Sequence, residues 1–164
     1  METIVSTSAS YQDSPGVNLM PPTVFYTCLV CGAVMEFFFP SNFTVLPVPM
    51  RIGIGVLLGG AGFAFMAVAH ETLKRIGTAI QTNRSASAFV TRGPYRFSRH
   101  PMYVGGLAFF VGIGLIAGSL WILTFAIPLA LYLALYVVPR EEDYLVRTFG
   151  DDFRQYCRKV RRWL

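Results

Sequence analysis

Charged residues are scarce in this sequence. Asp, Glu, Lys and Arg together make up 14% of its 164 residues, whereas hydrophobic residues make up 54%. An average soluble domain has roughly a quarter of its residues charged. The composition therefore excludes an ordinary soluble domain and indicates one domain whose surface is largely covered by lipid.

A disulfide framework and a signal peptide are also missing. The chain has three cysteines, and Cys28 and Cys31 lie inside an apolar run with no second ligand pair for zinc nearby. The odd count argues against a disulfide-stabilised secreted protein, and we predict no metal site. Residues 1–20 contain no Lys or Arg, so we expect a loosely held polar tail rather than a signal peptide.

Long apolar runs are what the sequence has in abundance. A membrane-spanning helix needs about 20 residues, with about 17 as the lower limit. Runs 23–39 and 52–73 each suit one span, and the longer stretch to Val138 divides at Gly118 and Ser119 into spans 102–117 and 120–138. The sequence thus predicts an all-α, polytopic membrane protein with about four transmembrane helices, in one domain covering residues 21–164.

Basic residues lie almost entirely in segments 74–99 and 140–162, which two spans separate. The positive-inside rule places both segments, and both termini, on the cytosolic side of a bacterial inner membrane or the endoplasmic reticulum. The net charge of +5 then favours anionic lipid headgroups as partners, and not nucleic acid. Apolar residues recur every three or four positions in 141–164, which predicts an amphipathic helix along the membrane surface or against the protein's own loop.

Two polar segments flank the predicted hairpin of the third and fourth spans. Residues 90–103 combine Arg, His and aromatic side chains, and the segment after the fourth span begins with Glu141 and Glu142. Because a helical hairpin brings its two ends together, we expect His100 and Glu141 to lie close in space. Such a mix suits a zwitterionic ligand with hydroxyl groups. Snorkelling and charge pairing at helix ends are the alternative interpretation.

The order of motifs resembles the isoprenylcysteine carboxyl methyltransferase family, whose wider group includes phospholipid N-methyltransferases. A Gly93-Pro94-Tyr95 turn is followed by Arg99-His100-Pro101-Met102-Tyr103, an apolar hairpin, Glu141-Glu142 and Phe149-Gly150. The resemblance covers roughly residues 50–164. It implies a membrane enzyme that binds S-adenosylmethionine between the 74–101 loop and the acidic pair.

The resemblance also implies which residues bind the cofactor and act in catalysis. Members that act on prenylcysteine have an arginine about one turn before the acidic residue, where this chain has Val137, and the nearest arginine is Arg140. Arg140 and Glu141 are the predicted catalytic residues. The predicted cofactor-binding residues are Gln81, Ser87, Ala88, Phe89, Val90, Gly93, Tyr95, Arg99, His100, Pro101, Met102, Tyr103, Glu141 and Glu142.

The acceptor implied by this resemblance is hydrophobic or membrane-resident: an isoprenylcysteine-like carboxylate, a lipid amine or a thiol. Two other functions stay open on the sequence alone. Some integral-membrane sterol reductases share a related C-terminal architecture and use a nicotinamide cofactor, and a non-catalytic membrane protein could retain the fold. The short chain and the intact arginine-histidine-proline-x-tyrosine segment favour the methyltransferase.

Overall fold

The fold is a bundle of helices, seen in a computed structural model that describes residues 15–41, 43, 45–77 and 89–164. The helices are α1 (Pro21–Phe38), α2 (Val48–Ile76), α3 (Pro101–Ala117), α4 (Leu120–Tyr132) and α5 (Val138–Lys159), with a short 3₁₀ helix at Gly93–Arg96 and a π-helical segment at Leu133–Val137. No strand occurs in these ranges. The predicted all-α, polytopic fold is confirmed.

Three helical segments of the described chain are long and apolar enough to cross a membrane. They are α1, α2 and the continuous helix that begins with α4, while α3 is a shorter apolar helix of 17 residues. The four predicted spans therefore correspond to three long helices and one at the lower limit of length. Helix α1 begins at Pro21 and Pro22. Proline suits these first positions because N–H groups there have no acceptor within the helix, so its missing N–H costs nothing.

Close packing of α2 on α3 depends on glycine. A Cβ atom built on Gly62 would lie 2.7 Å from the carbonyl oxygen of Gly105, and one built on Gly112 would lie 2.5 Å from Cα of Gly59. Gly55 lies against Ile116 near the other end of the pair, so α2 and α3 run antiparallel. The backbones approach this closely because no side chain separates them.

The hairpin between α3 and α4 turns where the sequence indicates. Gly118 adopts a left-handed conformation (φ 70°), which glycine accepts without strain, and the Ser119 hydroxyl caps α4 by accepting a hydrogen bond from the amide of Ile122. Pro128 lies inside α4, which continues to Tyr132. The departure from α-helical geometry comes at the π-helical segment that follows.

One carboxylate joins α1 to the α3–α4 turn. Glu36 in α1 accepts hydrogen bonds from the amide and hydroxyl of Ser41 (2.8 and 2.6 Å) and from the hydroxyl of Ser119 (2.5 Å). The indole N–H of Trp121 donates to the carbonyl of Phe39 at 2.7 Å. These bonds join the end of α1 to the α3–α4 turn. Glu36 therefore has a structural role, and it lies far along the chain from the polar segments.

The C-terminal helix differs from its prediction. α5 ends at Lys159 rather than continuing to residue 164, and Gly150 interrupts it with φ 55° and ψ −125°. Only glycine adopts that conformation readily. Val160 is extended because the residues after it pair with the loop before α3, and this tertiary pairing overrides the helical periodicity. Upstream of these residues, the apolar face of α5 packs on Phe89 of the same loop.

Part of the N-terminal segment is held against the helices. Residues 1–14 lie outside the described residues, but Val17 is only 4% exposed and belongs to the same core as Phe110 and Leu129. The Tyr132 hydroxyl donates a hydrogen bond to the carbonyl of Leu19. Val17 therefore departs from the prediction of a loosely held tail, because its apolar side chain fills a place in the core, whereas Asn18 and Leu19 are exposed.

Candidate active site

The loop before α3 is shaped by a glycine and anchored to α5. Gly93 has φ 59°, and Pro94 follows it in the first turn of the 3₁₀ helix. The hydroxyl of Tyr156 in α5 donates a hydrogen bond to the carbonyl of Tyr95 at 2.7 Å. Burial raises the pKa of Tyr95, so its phenol is neutral at physiological pH. These contacts fix the loop, and Ser98 at its end lies beside the start of α3.

His100 bridges the two neighbouring glutamates. Its Nδ1 lies 3.4 Å from Oε2 of Glu141 and its Nε2 lies 3.2 Å from Oε1 of Glu142. The His100 amide donates to the hydroxyl of Ser98 at 3.1 Å, and the Tyr103 hydroxyl donates to Oε1 of Glu141 at 2.6 Å. The expected proximity of the two ends of the hairpin is therefore present, and each carboxylate is held by a different set of donors.

Glu142 is the centre of a buried ionic cluster. Arg99 lies 2.8 Å from its Oε1, and Arg162 contacts both of its oxygens. Burial would raise the pKa of Glu142, but hydrogen bonds from His100 and Arg162 and the charge of Arg99 lower it to about 2. Glu142, at the polar start of α5, is therefore an ionised structural carboxylate at neutral pH.

The charge of His100 follows from the same cluster. Burial would lower its pKa, but the hydrogen bonds to Glu141 and Glu142, together with their charges, outweigh burial and raise the pKa above its usual 6.5. Its ring stacks on Tyr103 with the ring centroids 5.7 Å apart. A protonated His100 donates from both nitrogens, so it orients both carboxylates at once.

A cavity of about 550 Å³ opens beside this cluster. Its size falls within the roughly 300–1,000 Å³ that is typical of ligand pockets. Arg99, His100 and Glu141 form its polar end, and most of the remaining lining is aromatic or aliphatic, contributed largely by α1, α2, α3, α4, the π-helical segment and the loop before α3. The apolar part includes Phe25, Tyr26, Phe63, Met66, Phe109, Leu129 and Leu133.

The structure brings most of the predicted site residues to this cavity. Gln81, Ser87 and Ala88 lie outside the described residues. The predicted residues that line the cavity are Phe89, Val90, Tyr95, Arg99, His100, Pro101, Met102, Tyr103 and Glu141. Gly93 and Glu142 are not among the lining residues: Gly93 makes the turn beside Thr72, and Glu142 belongs to the ionic cluster.

Arg140 also lies away from the cavity. Its side chain is exposed, and its guanidinium carbon sits 3.8 Å from the centroid of the Tyr136 ring. One of its nitrogens reaches the Tyr136 carbonyl at 3.4 Å. The catalytic role of Arg140 stays a prediction that this placement does not support, because a cation–π contact already accounts for the side chain's position.

Sequence reasoning did not single out the half of the cavity formed by α1 and α2. His70 lines the cavity together with Phe63 and Met66, because the α2–α3 glycine contacts set a register that brings this stretch of α2 beside the first turns of α3. The glycine spacing indicates close packing but not which α3 residue faces which α2 residue. Arg162 reaches Glu142 from beyond the end of α5, and no local pattern in the sequence indicates this contact.

Comparison with protein families matches residues 50–152 to the phospholipid methyltransferase family. That segment is more than half of the chain. The chain therefore belongs to the phospholipid methyltransferase family, as the order of its motifs predicts. No solved structure matches the chain.

Similar proteins include two resistance proteins and one methyltransferase. The nickel-cobalt-cadmium resistance protein NccN of Alcaligenes xylosoxydans xylosoxydans is 35% identical over 98 residues, which are 58% of this chain and 45% of that protein. The cobalt-zinc-cadmium resistance protein CzcN of Cupriavidus metallidurans is 33% identical over 96 residues, 58% of this chain and 44% of that protein. The protein-S-isoprenylcysteine O-methyltransferase of Schizosaccharomyces pombe is 38% identical over 72 residues, 43% of this chain and 30% of that protein. Each match spans less than half of the relative's own length.

Proposed function

We propose that this protein transfers a methyl group from S-adenosylmethionine to a hydrophobic or membrane-resident acceptor at the cytosolic face of a membrane. The observation that carries the proposal is a cavity that joins a polar end at Arg99, His100 and Glu141 to an apolar region between the helices. A water-soluble cofactor and a lipid-soluble acceptor can meet in such a cavity. Membership of the phospholipid methyltransferase family supports the reaction class and favours it over a nicotinamide-dependent reductase.

The residues at the polar end fit the cofactor. Arg99 lines the cavity, and its guanidinium supplies a positive charge that suits a carboxylate such as that of the methionine part. The Glu141 carboxylate lines the cavity and can accept hydrogen bonds from an ammonium or from ribose hydroxyls. Phe89 and Tyr95 add aromatic surface at the same end.

The contribution of the protein is alignment and exclusion of water. When bound, S-adenosylmethionine supplies a methyl group on a positively charged sulfur, which makes its carbon electrophilic. Tyr103 and His100 hold Glu141 from two sides, so this carboxylate presents a fixed orientation to its ligand. Fixed binding groups lower the entropic cost of bringing acceptor and methyl group into line. The apolar walls from the helices keep water away from the reacting groups.

The apolar part of the cavity supports a lipophilic acceptor. Phe25 of α1, Phe63 of α2 and Phe109 of α3 line it, and the ring of Phe25 stacks 6.2 Å from that of Phe109. Each methylene buried there contributes about 0.8 kcal/mol, so a long alkyl or prenyl chain would supply much of the binding energy. An isoprenylcysteine-like carboxylate, a lipid amine and a lipid thiol all combine such a chain with a small nucleophile.

Calorimetry tests the cofactor. The purified protein in lipid nanodiscs is titrated with S-adenosylhomocysteine and, separately, with the reduced nicotinamide cofactor. We expect binding of the first and none of the second. Tight binding of the nicotinamide cofactor, without binding of S-adenosylhomocysteine, would replace the methyltransferase by the reductase, and binding of neither would favour a non-catalytic membrane protein.

A further inference from the structure

The last residues of the chain fold back over the loop that carries His100. After α5 ends at Lys159, Val160 is extended with φ −123° and ψ 133°. The amide of Arg99 donates to the carbonyl of Arg161 at 3.0 Å, and the hydroxyl of Ser98 donates to the carbonyl of Arg162 at 3.3 Å. We call residues 160–164 the C-terminal tail. Backbone pairing fixes this tail beside the ionic cluster.

The pairing places one side chain of the tail on Glu142. The Nε atom of Arg162 donates to Oε1 at 3.2 Å, and its Nη2 donates to Oε2. A guanidinium that contacts both oxygens fixes the plane of the carboxylate, which a single point charge does not. Oε1 also receives Arg99 at 2.8 Å and His100 at 3.2 Å. The carboxylate orientation that suits the His100 ring is therefore the one that Arg162 holds.

We propose that Arg162 is a positioning residue of the site: from the C-terminal tail it holds the Glu142 carboxylate in the orientation that fixes the His100 ring beside the cavity. Arg162 does not line the cavity itself, whereas His100 does. Its effect on a ligand passes through Glu142 and His100. The link to cofactor binding rests on the proposed function, but the effect on His100 does not.

Arg162 also contributes to the charge around His100. Removing Arg162 takes away one positive charge beside Glu142, so the field at His100 becomes more negative and its protonated form more stable. This loss of charge alone would raise the His100 pKa further, whereas loss of the Glu142 orientation would weaken the Nε2 hydrogen bond that helps to raise it. Arg162→Lys separates the two effects, because it keeps the charge and loses the two-point contact. The titratable or charged side chains around the His100 ring and its carboxylate partners are Arg99, Tyr103, Glu141, Glu142 and Arg162.

Proton-detected NMR of the imidazole groups measures the titration midpoint of His100 directly. The chain has only two histidines, so His70→Gln assigns the two signals. Arg162→Lys keeps the charge but cannot contact both carboxylate oxygens in the same way, so it should lower the titration midpoint of His100 below that of the wild type. Arg161→Gln is the matched control, since this neighbour contributes only its backbone carbonyl to the pairing with Arg99. An unchanged or raised midpoint in Arg162→Lys overturns the proposal, and so does loss of the folded helix signal in that variant alone.

Binding of S-adenosylhomocysteine to the same variants tests the consequence for the ligand. Because Arg162 is 45% exposed, its contribution is discounted, and we expect Arg162→Gln to bind about threefold to tenfold more weakly, with Arg162→Lys between it and the wild type. Arg161→Gln should bind like the wild type. If the wild type does not bind, the proposed function fails and the NMR titration alone decides the positioning role. If the wild type and Arg162→Gln bind equally, the role of Arg162 in ligand binding is refuted.

Discussion

The two adjacent glutamates should respond differently to the same substitution. Glu141 lines the cavity and is held by Tyr103 and His100, whereas Glu142 is outside the cavity lining and is held by two arginines. Replacing a glutamate by glutamine keeps its size and removes its charge. We therefore expect Glu141→Gln to weaken mainly ligand binding, and Glu142→Gln to weaken mainly the fold with a smaller effect on binding.

The magnitudes follow from the contacts. A hydrogen bond to a charged group contributes about 1.5–3 kcal/mol, so Glu141→Gln should weaken S-adenosylhomocysteine binding by about tenfold or more. His100→Ala should have a similar effect, since the ring orients Glu141 through Nδ1. Glu142→Gln leaves Arg99, which is 15% exposed, without its ionic partner. Breaking such a buried pair costs about 3 kcal/mol of unfolding free energy.

Calorimetry and thermal unfolding in nanodiscs together separate the two roles. Glu71→Gln is the matched control, because Glu71 is an exposed carboxylate on α2 that pairs with Arg75 and does not line the cavity. It should change neither affinity nor stability appreciably. A larger loss of affinity in Glu142→Gln than in Glu141→Gln would refute the assignment of the two glutamates. Wild-type affinity in both Glu141→Gln and His100→Ala would refute the site itself.

Two further outcomes follow from charge. The pKa of Glu142 is held at about 2, below its usual 4.5, so its stabilising effect is present above about pH 4.5 and is lost as the pH falls toward 2. The difference in unfolding midpoint between the wild type and Glu142→Gln should therefore shrink between pH 4.5 and pH 2. The pKa of His100 is raised, so its charged form stabilises the fold below about pH 6.5, and this effect is lost as the pH rises through the folded pKa. The difference in unfolding midpoint between the wild type and His100→Gln should therefore shrink in alkaline solution. Topology is tested with single cysteines in a cysteine-free background. Cysteines introduced by Asn18→Cys or Lys159→Cys should react with an impermeant reagent from the cytosolic side, and one introduced by Val45→Cys should react from the other side. Labelling of the first two from opposite sides would contradict the proposed orientation.

Much of the fold could be predicted because lipid imposes simple rules. Apolar runs of sufficient length indicate the helices, and the Gly118-Ser119 break indicates the hairpin. The proximity of His100 to Glu141 then follows from connectivity alone, since an antiparallel pair must return to the level at which it began. No long-range information was needed for these features.

The remaining features depend on contacts between distant residues. The helical periodicity in the sequence continues through Val160 and Trp163, but α5 ends at Lys159 because the tail pairs with the loop before α3. The choice of Glu141 rather than Glu142 as the cavity carboxylate depends on where Arg162 lies, and no local pattern indicates that. Burial of Val17 likewise depends on a gap in the core that only the assembled helices create.

The most direct test of membrane methyl transfer uses S-adenosylmethionine with an isotopically labelled methyl group. Acceptors carrying a carboxylate, an amine or a thiol are each prepared with alkyl or prenyl chains of increasing length, and transfer of label is measured at fixed detergent concentration. We predict that kcat/KM for the reactive headgroup rises with chain length, by up to about fourfold for each buried methylene, until the apolar part of the cavity is full. Equal efficiency for short, water-soluble acceptors and long ones would contradict a membrane-resident substrate.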